Sequence, residues 1–445
     1  MLHDPPPQSS ERKQSDFGAG RNTLLWTVWF TYGAFYFCRT NISVAVPGLT
    51  GLAEDGGLGL SAPQVGMILG ATKITYAVGQ LLNGQLAEQL SPRKLLAIGM
   101  LGTAALNVAF GFGTALYFLI FVWACNGYCQ SLGWTPCVRV VANWFPVHLR
   151  GKVIGLIGTG YQLTAVLTWL VAGWAVDAFG WRGALWVPAG IMAIAAFVML
   201  LLLRESPPGV TTDDELCHDK SQLPVRSERR SVFENFLLTI SNPKLWLLGI
   251  ALSLLNATRY GFLDWGLKHL ISIRELDGQT ASVFAEAIKY AVLPLGGIAG
   301  SLLAGWATDR FFGSRRAPVT CLLLVALGLL TLAYDRVAHA SVPATIFLLG
   351  VIGFCIYGPQ VLLVGTAPAD LARKGTSAAA AGFVNCMGYF GAAAGDQITG
   401  LSLGQDYNWN RTIYLWAMWA FAAAIAAGLL WNATAHESNE ESSNL

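Results

Sequence analysis

The chain has 445 residues, of which 54% are hydrophobic and only 12% are charged, and its mean hydropathy is +0.50. Soluble domains carry about 25% charged residues, so this composition excludes a soluble enzyme. The net charge of +2 is too small to indicate a nucleic-acid partner. The eight cysteines lack the spacing of a metal site, and no metal or other cofactor is predicted.

Long apolar segments recur along the whole chain, and about 20 such residues suffice to cross a bilayer. The pattern predicts twelve transmembrane helices, at residues 22–49, 62–89, 94–113, 115–144, 151–176, 183–203, 245–270, 281–308, 317–335, 342–369, 375–401 and 412–432. The first segment is too long for a cleaved signal peptide. The predicted fold class is therefore an all-α membrane protein.

A polar stretch at residues 204–242, rich in charged residues and proline, separates the first six helices from the last six. The predicted organisation is a tail, a six-helix bundle, a linker, a second bundle and an acidic tail, at residues 1–21, 22–203, 204–242, 243–432 and 433–445. Most of the 28 Lys and Arg residues fall on the side of the two termini. This asymmetry predicts that both termini lie in the cytoplasm.

Two landmarks recur at nearly the same offset, close to half the chain. Arg39 and Arg259 lie within apolar segments and are 220 positions apart. Gly84 and Gly305, which begin corresponding loops, are 221 positions apart. The agreement predicts one six-helix module used twice, with one arginine from each copy.

The loop at residues 305–316 reads Gly-x-x-x-Asp-Arg-x-x-Gly-x-Arg-Arg, and its counterpart after the second helix is degenerate. This pattern resembles the inter-helix motif of the major facilitator superfamily. The resemblance implies two pseudosymmetric six-helix bundles around a central cavity, with the binding site between them. Residues assigned a gating or structural role are Asp309, Arg310, Arg315, Arg316, Asp264 and Glu88.

Four stretches resemble the organophosphate:phosphate antiporters, a family that includes glycerol-phosphate and hexose-phosphate transporters. They are Tyr-Gly-Ala-Phe-Tyr-Phe-Cys-Arg-Thr-Asn at 32–41, Gly-Trp-Thr-Pro-Cys-Val-Arg at 133–139, Arg-Tyr-Gly-Phe-Leu-Asp-Trp at 259–265 and Tyr-Gly-Pro at 357–359. The resemblance implies that Arg39 and Arg259 bind the substrate phosphate. It also implies a bacterial inner (plasma) membrane.

Two departures from the family pattern leave the organic part of the substrate open. Gln80 stands where family members usually carry a lysine, and Tyr161 falls where glycerol-phosphate transporters carry a histidine. Lys73 shares a helical face with Gln80 but lies seven residues earlier, about 10.5 Å along the axis. Lys73 is therefore not assumed to replace the family lysine.

The charges inside the predicted helices also favour an anion. Asp264 is expected to pair with Lys268, and Glu286 with Lys289, at helical spacing. Four cations then lack a partner in their own helices: Arg39, Arg259, Arg139 and Lys73. An excess of buried positive charge predicts a bound oxyanion, with phosphate the leading candidate. The alternative is that contacts to Asp396, carbonyls or water satisfy these cations structurally.

Helical spacing gathers polar and aromatic side chains near these cations, and tyrosine can bind phosphate oxygens or sugar hydroxyls in an apolar setting. The structural alternative for each tyrosine is ordinary helix packing. The predicted substrate-binding residues are Arg39, Arg259, Tyr36, Tyr32, Tyr357, Asn256, Gln80, Tyr161, Tyr128, Arg139, Lys73, Asn385 and Tyr389.

The predicted function is exchange of a phosphorylated small metabolite (a sugar phosphate, glycerol phosphate or phosphoglycerate) for inorganic phosphate by alternating access. The partners are these two substrates and the lipid bilayer, and the protein is expected to be a monomer. One alternative is proton-coupled symport of an organic anion, with Glu286, Asp264 or Asp396 titrating. Another is a membrane sensor of sugar phosphate that does not transport. No nucleophile–base or metal constellation indicates an enzyme.

Overall fold

The computed structural model describes residues 8–433 except 146, 207–236, 277, 279–281, 374–375 and 406. Throughout these residues the regular structure is helical, without β-strands. Most of the predicted linker and nearly all of the predicted acidic tail lie outside the described residues.

The first half contains eight α-helices in the part of the chain that the structure describes. They are α1 (Gln8–Ala34), α2 (Ile42–Thr50), α3 (Ala62–Gln89), α4 (Pro92–Phe112), α5 (Leu116–Ser131), α6 (Trp134–Trp144), α7 (Val147–Phe179) and α8 (Gly183–Leu202). Short 3₁₀ helices occupy Phe35–Cys38 and Ala53–Asp55. α1 begins at Gln8, whereas the hydrophobic pattern predicted residue 22.

The second half continues with nine α-helices between residues 243 and 428. They are α9 (Pro243–Tyr260), α10 (Gly266–Leu276), α11 (Val283–Tyr290), α12 (Val292–Phe311), α13 (Arg316–Ala340), α14 (Val342–Val361), α15 (Ala367–Leu371), α16 (Ser377–Leu403) and α17 (Trp409–Gly428). Two π-helices, Gly261–Trp265 and Leu362–Thr366, connect α9 to α10 and α14 to α15.

The twelve predicted segments are all largely helical in the described residues. Seven helices of the described chain are long and apolar enough on their own to cross a membrane: Ala62–Asn83, Pro92–Phe112, Val153–Phe179, Gly183–Leu202, Val283–Phe311, Arg316–Ala340 and Val342–Leu371. Among the remaining segments, the two that carry the paired arginines are interrupted near those residues. The predicted all-α membrane fold is confirmed.

A break between α1 and α2 lies beside Arg39. The Arg39 N–H bonds Tyr36 O at 3.2 Å, which is 3₁₀ rather than α-helical pairing. Buried amide side chains bind the carbonyls along this turn: Gln130 Nε2 donates to Phe35 O at 3.0 Å, and Asn126 Nδ2 donates to Cys38 O at 3.2 Å. Because backbone carbonyls in a membrane need partners from the protein, these amides stabilise the break.

The π-helix Gly261–Trp265 follows Arg259 directly and is held by an aromatic side chain from α11. Tyr290 Oη donates to Phe262 O at 2.6 Å, and Tyr290 is fully buried. Its hydroxyl occupies the space over Gly266, where an added Cβ would lie 1.8 Å from that oxygen. Only glycine allows this insertion, and π-turns of this kind often mark functional positions in helices.

Glycines bring the two halves together along α3 and α16. An added Cβ on Gly66 would lie 2.8 Å from Asp396 O, and one on Gly400 would lie 2.5 Å from Ala62 O. Small residues allow this close backbone approach between helices. The contact begins at the start of α3 and the end of α16, and we call this the closed end of the molecule.

A second contact between the halves lies at the same end. Asp177 of α7 accepts hydrogen bonds from Ser282 Oγ at 2.6 Å, Val283 N at 3.1 Å and Phe284 N at 3.3 Å. The carboxylate thereby caps the N-terminus of α11, where unpaired N–H groups and the helix dipole favour negative charge. Both contacts join the first half to the second at the closed end.

Candidate functional site

A cavity lies between the two halves, next to the closed end. Its charged and polar lining comes from both halves. The first half contributes Tyr36, Arg39, Thr72, Lys73, Tyr76 and Gln130, and the second contributes Arg259, Tyr260, Asp264, Tyr357 and Tyr389. The structure thus brings Arg39 and Arg259 to one cavity, although they are 220 positions apart in the chain.

Arg39 is held between two aromatic rings and one amide. Its guanidinium carbon lies 4.6 Å from the ring centroids of both Tyr36 and Tyr76. Its Nε donates to Gln130 Oε1 at 3.1 Å. These contacts orient the planar guanidinium and leave donors on its far edge for a ligand.

Arg259 has a matching environment in the second half. Its guanidinium carbon lies 4.8 Å from the Tyr260 ring centroid and 5.0 Å from that of Tyr357. The residue is only 4% exposed, and its Nε has no hydrogen-bond partner in the described chain. No carboxylate among the described residues forms an ion pair with Arg39 or with Arg259. Two unneutralised guanidiniums in one cavity, that of Arg259 buried and that of Arg39 partly buried, form a site for an oxyanion.

Lys73 does have charged partners, and they come from the opposite half. Its Nζ lies 2.5 Å from Asp264 Oδ2 and also contacts Asp396 Oδ2. The prediction that Asp264 pairs with Lys268 is therefore wrong. For Lys73 the structure confirms the alternative stated above, in which a contact to Asp396 from another helix satisfies the cation. Asp264 lies within the π-helix, where residues four apart no longer stack on one face.

Lys268 and Lys289, also within the predicted helices, are paired outside the cavity. Lys268 Nζ lies 3.4 Å from Glu275 Oε2, seven residues away. The predicted pair of Glu286 and Lys289 is confirmed, with Nζ 2.5 Å from Oε1, and Arg274 adds a contact of 3.6 Å to the same oxygen.

Two predicted tyrosines form an aromatic cluster behind the cavity wall. The Tyr161 ring stacks on Tyr36 with centroids 4.9 Å apart, and Tyr32 packs edge-on against Tyr161 at 6.2 Å. The Trp134 ring also belongs to this cluster, with its centroid 4.8 Å from that of Tyr32. Neither Tyr32 nor Tyr161 lines the cavity itself, so both support Tyr36 from behind.

Besides Tyr32 and Tyr161, five predicted site residues do not line the cavity: Gln80, Tyr128, Arg139, Asn256 and Asn385. Arg139 Nη1 donates to Leu90 O at 2.9 Å, and Tyr128 Oη donates to Asn83 Oδ1 at 3.3 Å. Asn256 is buried, and its Oδ1 has no partner in the described chain. Helical spacing identified the face of each helix but left the depth along its axis open.

The loop predicted to gate or stabilise the fold forms a charged cluster at the end of α12. Arg316 bonds Asp309 Oδ1 at 2.9 Å and Asp370 Oδ2 at 3.2 Å. Arg315 Nε donates to Phe312 O at 3.2 Å, while Arg310 is exposed. The side chain of Glu88 lies outside the described part of the chain. Asp264 belongs to the cavity rather than to this cluster.

Gln130 and Tyr260 are among the cavity residues that the predicted substrate-binding set does not contain. Tyr260 follows Arg259 directly and lies inside a stretch that resembles the antiporter family. Gln130 is a buried amide near the end of α5. A polar side chain within an apolar helix is itself a signal of a functional site.

Two helical halves that enclose a charged cavity, closed at one end, are the architecture of a secondary membrane transporter. The chain belongs to the Major Facilitator Superfamily, whose family model matches residues 28–395 and 287–444. The protein is thus a member of a family of transporters and not an enzyme.

Relatives along most of the chain agree with the predicted antiporter family. The probable hexose phosphate transport protein of Chlamydia muridarum is 29% identical over 433 residues, covering 93% of this chain and 91% of that protein. The membrane sensor protein UhpC of Escherichia coli is 31% identical over 383 residues, covering 84% of each chain. The resemblance noted in the sequence is confirmed.

Solved structures match the fold at much lower sequence identity. A bacterial homologue of the human lysosomal transporter Spinster, in an inward-facing and unoccupied conformation, superposes with a TM-score of 0.72 at 15% identity. The match covers 95% of this chain and 97% of that one. At this identity the similarity establishes the shared fold alone.

Proposed function

We propose that the protein is a secondary active transporter that exchanges a phosphorylated small metabolite for inorganic phosphate. One observation carries the proposal: two arginines, one from each half, line the same cavity without a carboxylate partner among the described residues. A phosphate group offers three oxygens and up to two negative charges, which match two guanidiniums better than a carboxylate does. The hexose phosphate relative supports this substrate class.

The remaining lining suits the organic part of a phosphate ester. Tyr76, Tyr357 and Tyr389 offer hydroxyl groups and ring faces to a small polar molecule. The substrates we propose are a sugar phosphate, glycerol phosphate or phosphoglycerate.

Transport would proceed by alternating access, with the two halves rocking about the bound phosphate. The halves meet at the end opposite the chain termini, and the distribution of Lys and Arg predicts cytoplasmic termini. The described conformation would then be closed toward the outside of a bacterial inner membrane. An empty site would resist reorientation because two unneutralised arginines repel each other, and this resistance would enforce exchange.

The test is uptake of labelled phosphate into proteoliposomes loaded with unlabelled phosphate. We expect exchange by the wild-type protein, competition by the transported ester, and loss of at least 100-fold in Arg39→Lys and Arg259→Lys, because lysine cannot form bidentate contacts. Arg182→Lys is the matched control, since Arg182 binds Gly111 O and the Trp181 ring outside the cavity. Full exchange by both cavity variants would contradict the proposed site.

A sensor is the second candidate, because the 31% identical relative is named a membrane sensor protein. A sensor would bind a phosphate ester in the same cavity but exchange it slowly or not at all. Ester binding by purified protein, measured by calorimetry, together with absent exchange in the same preparation, would favour sensing over transport. Exchange at tens of turnovers per second would exclude a purely sensory role.

A further inference from the structure

A buried cluster of one cation and two carboxylates lies beside the arginine site. We call Lys73, Asp264 and Asp396 the ion triad. The three residues are 6%, 5% and 0% exposed, and the triad joins α3 to the π-helix and to α16. Asp396 faces the indole of Trp265, yet its Oδ1 has no partner within hydrogen-bond geometry in the described chain.

The triad carries one uncompensated negative charge when both carboxylates are ionised. The titratable groups that face it from neighbouring elements are tyrosines: Tyr260, whose ring lies 4.3 Å from Lys73 Nζ, then Tyr290 and Tyr389. These are neutral near pH 7. The charged groups that remain nearby are Arg39 and Arg259. The ligand-free site, taken with the triad, therefore has a net charge of +1.

The charge of the proposed substrate does not match this total. A phosphate monoester has a second pKa near 6, so it is mostly a dianion at neutral pH. Adding two negative charges to the site leaves a net charge of −1 in a buried cavity. Uncompensated buried charge is costly, so uptake of one proton is favoured when the dianion binds.

We propose that the ion triad is a proton-binding site, in which Asp396 takes up one proton when a dianionic phosphate ester binds between the two arginines. This inference rests on the proposed function. It adds the charge state of the bound substrate, a dianion accompanied by one proton. A proton from water forms an O–H bond at Oδ1, the lone pair left without a partner, while Oδ2 keeps its contact with Lys73. The proton leaves to water when the ester leaves.

The test is calorimetric titration of purified protein with glucose 6-phosphate at pH 8, in two buffers that differ in enthalpy of ionisation. The ester is fully dianionic at this pH, so the difference in heat between buffers counts the protons taken up by the complex. We expect about one proton for each ester bound by the wild-type protein. We expect about zero for Asp396→Asn, which resembles the protonated acid in shape and charge.

Glu286→Gln is the matched control, because Glu286 is also a buried carboxylate but pairs with Lys289 and Arg274. This variant should still take up about one proton. If Asp396→Asn does not fold, Asp264→Asn provides the same test, since it also makes the triad neutral. Both variants are checked for a single peak in size exclusion before titration.

The outcomes separate this inference from the proposed function. Ester binding by the wild-type protein with uptake near zero would overturn the inference and leave the proposed function intact. Uptake of one proton by Asp396→Asn and Asp264→Asn would also overturn it, because the proton would then reside on the ester. Absence of binding with several phosphate esters would contradict the proposed function itself.

Discussion

At the scale of single residues, the site depends on how the two arginines are oriented. A guanidinium is planar and presents its donors along fixed directions, so a small rotation misaligns two bonds at once. Tyrosine rings flank both arginines, but Arg39 has an additional restraint in Gln130. That amide also donates to Phe35 O, which ties the side chain of Arg39 to the helix break beside it.

We predict that Gln130→Leu raises the KM for phosphate exchange about 10-fold with a smaller effect on kcat. Loss of the acceptor at Gln130 Oε1 removes a hydrogen bond to a charged group, worth about 1.5–3 kcal/mol. Gln130→Leu also removes the donor to Phe35 O, so the thermal midpoint of the variant is the control for fold stability. A raised KM at an unchanged midpoint supports the orienting role, and an unchanged KM contradicts it.

At the scale of helices, the two arginines of the site lie beside irregular segments rather than within regular turns. Arg39 follows a 3₁₀ turn, and Arg259 precedes a π-helix. Both irregular segments are stabilised from outside their own helix, by Gln130 and Asn126 at the first and by Tyr290 at the second. Side chains of other helices therefore determine where these helices bend.

We predict that Tyr290→Phe lowers the free energy of unfolding by about 1 kcal/mol, because it removes the hydroxyl that donates to Phe262 O. Tyr334→Phe is a matched control: Tyr334 is equally buried, but its hydroxyl has no partner in the described chain. Thermal unfolding in detergent should show a lower midpoint for Tyr290→Phe and an unchanged or higher one for Tyr334→Phe. Equal midpoints would show that the Tyr290 bond does not stabilise the π-helix.

At the scale of the whole molecule, the closed end requires backbone contact between the halves. Gly66 and Gly400 let α3 and α16 approach until their main chains touch, and Asp177 caps α11 from across the interface. The Asp177 contact is partly exposed and lies on the surface, so solvent competes for its bonds. This combination suits an interface that must separate and re-form in each transport cycle.

We predict that Gly400→Leu prevents the closed end from forming and slows exchange at least 10-fold. An added Cβ would lie 2.5 Å from Ala62 O, a backbone atom that cannot move aside without separating α3 from α16. Gly382→Leu on the same helix is the control, since nothing lies within 4 Å of its added Cβ. Spin labels at Phe179→Cys and Leu276→Cys, in a background without native cysteines, should report longer distances in Gly400→Leu only. Unchanged distances in that variant would contradict the role assigned to Gly400.

The sequence by itself determined the class of the protein, its apolar segments, the two arginines and the family. These features depend on composition and on local patterns, since about 20 apolar residues span a bilayer wherever they pack. A charge at the centre of such a segment is costly enough to be noticed without a structure. The pair of Glu286 and Lys289 was predictable for a similar reason, because both residues lie on one regular helix.

Only the tertiary structure decided which charges meet and where the helices break. Lys73 binds carboxylates at positions 264 and 396. Neither separation corresponds to a helical spacing, so the sequence pattern does not reveal these pairs. Helical periodicity identifies a face but not a depth, so Gln80 and Arg139 were grouped with a cavity that they do not line. Gln130 and Tyr290 stabilise irregular backbone in other helices. Contacts between distant segments arise only when the helices pack, and they decide the charge and shape of the site.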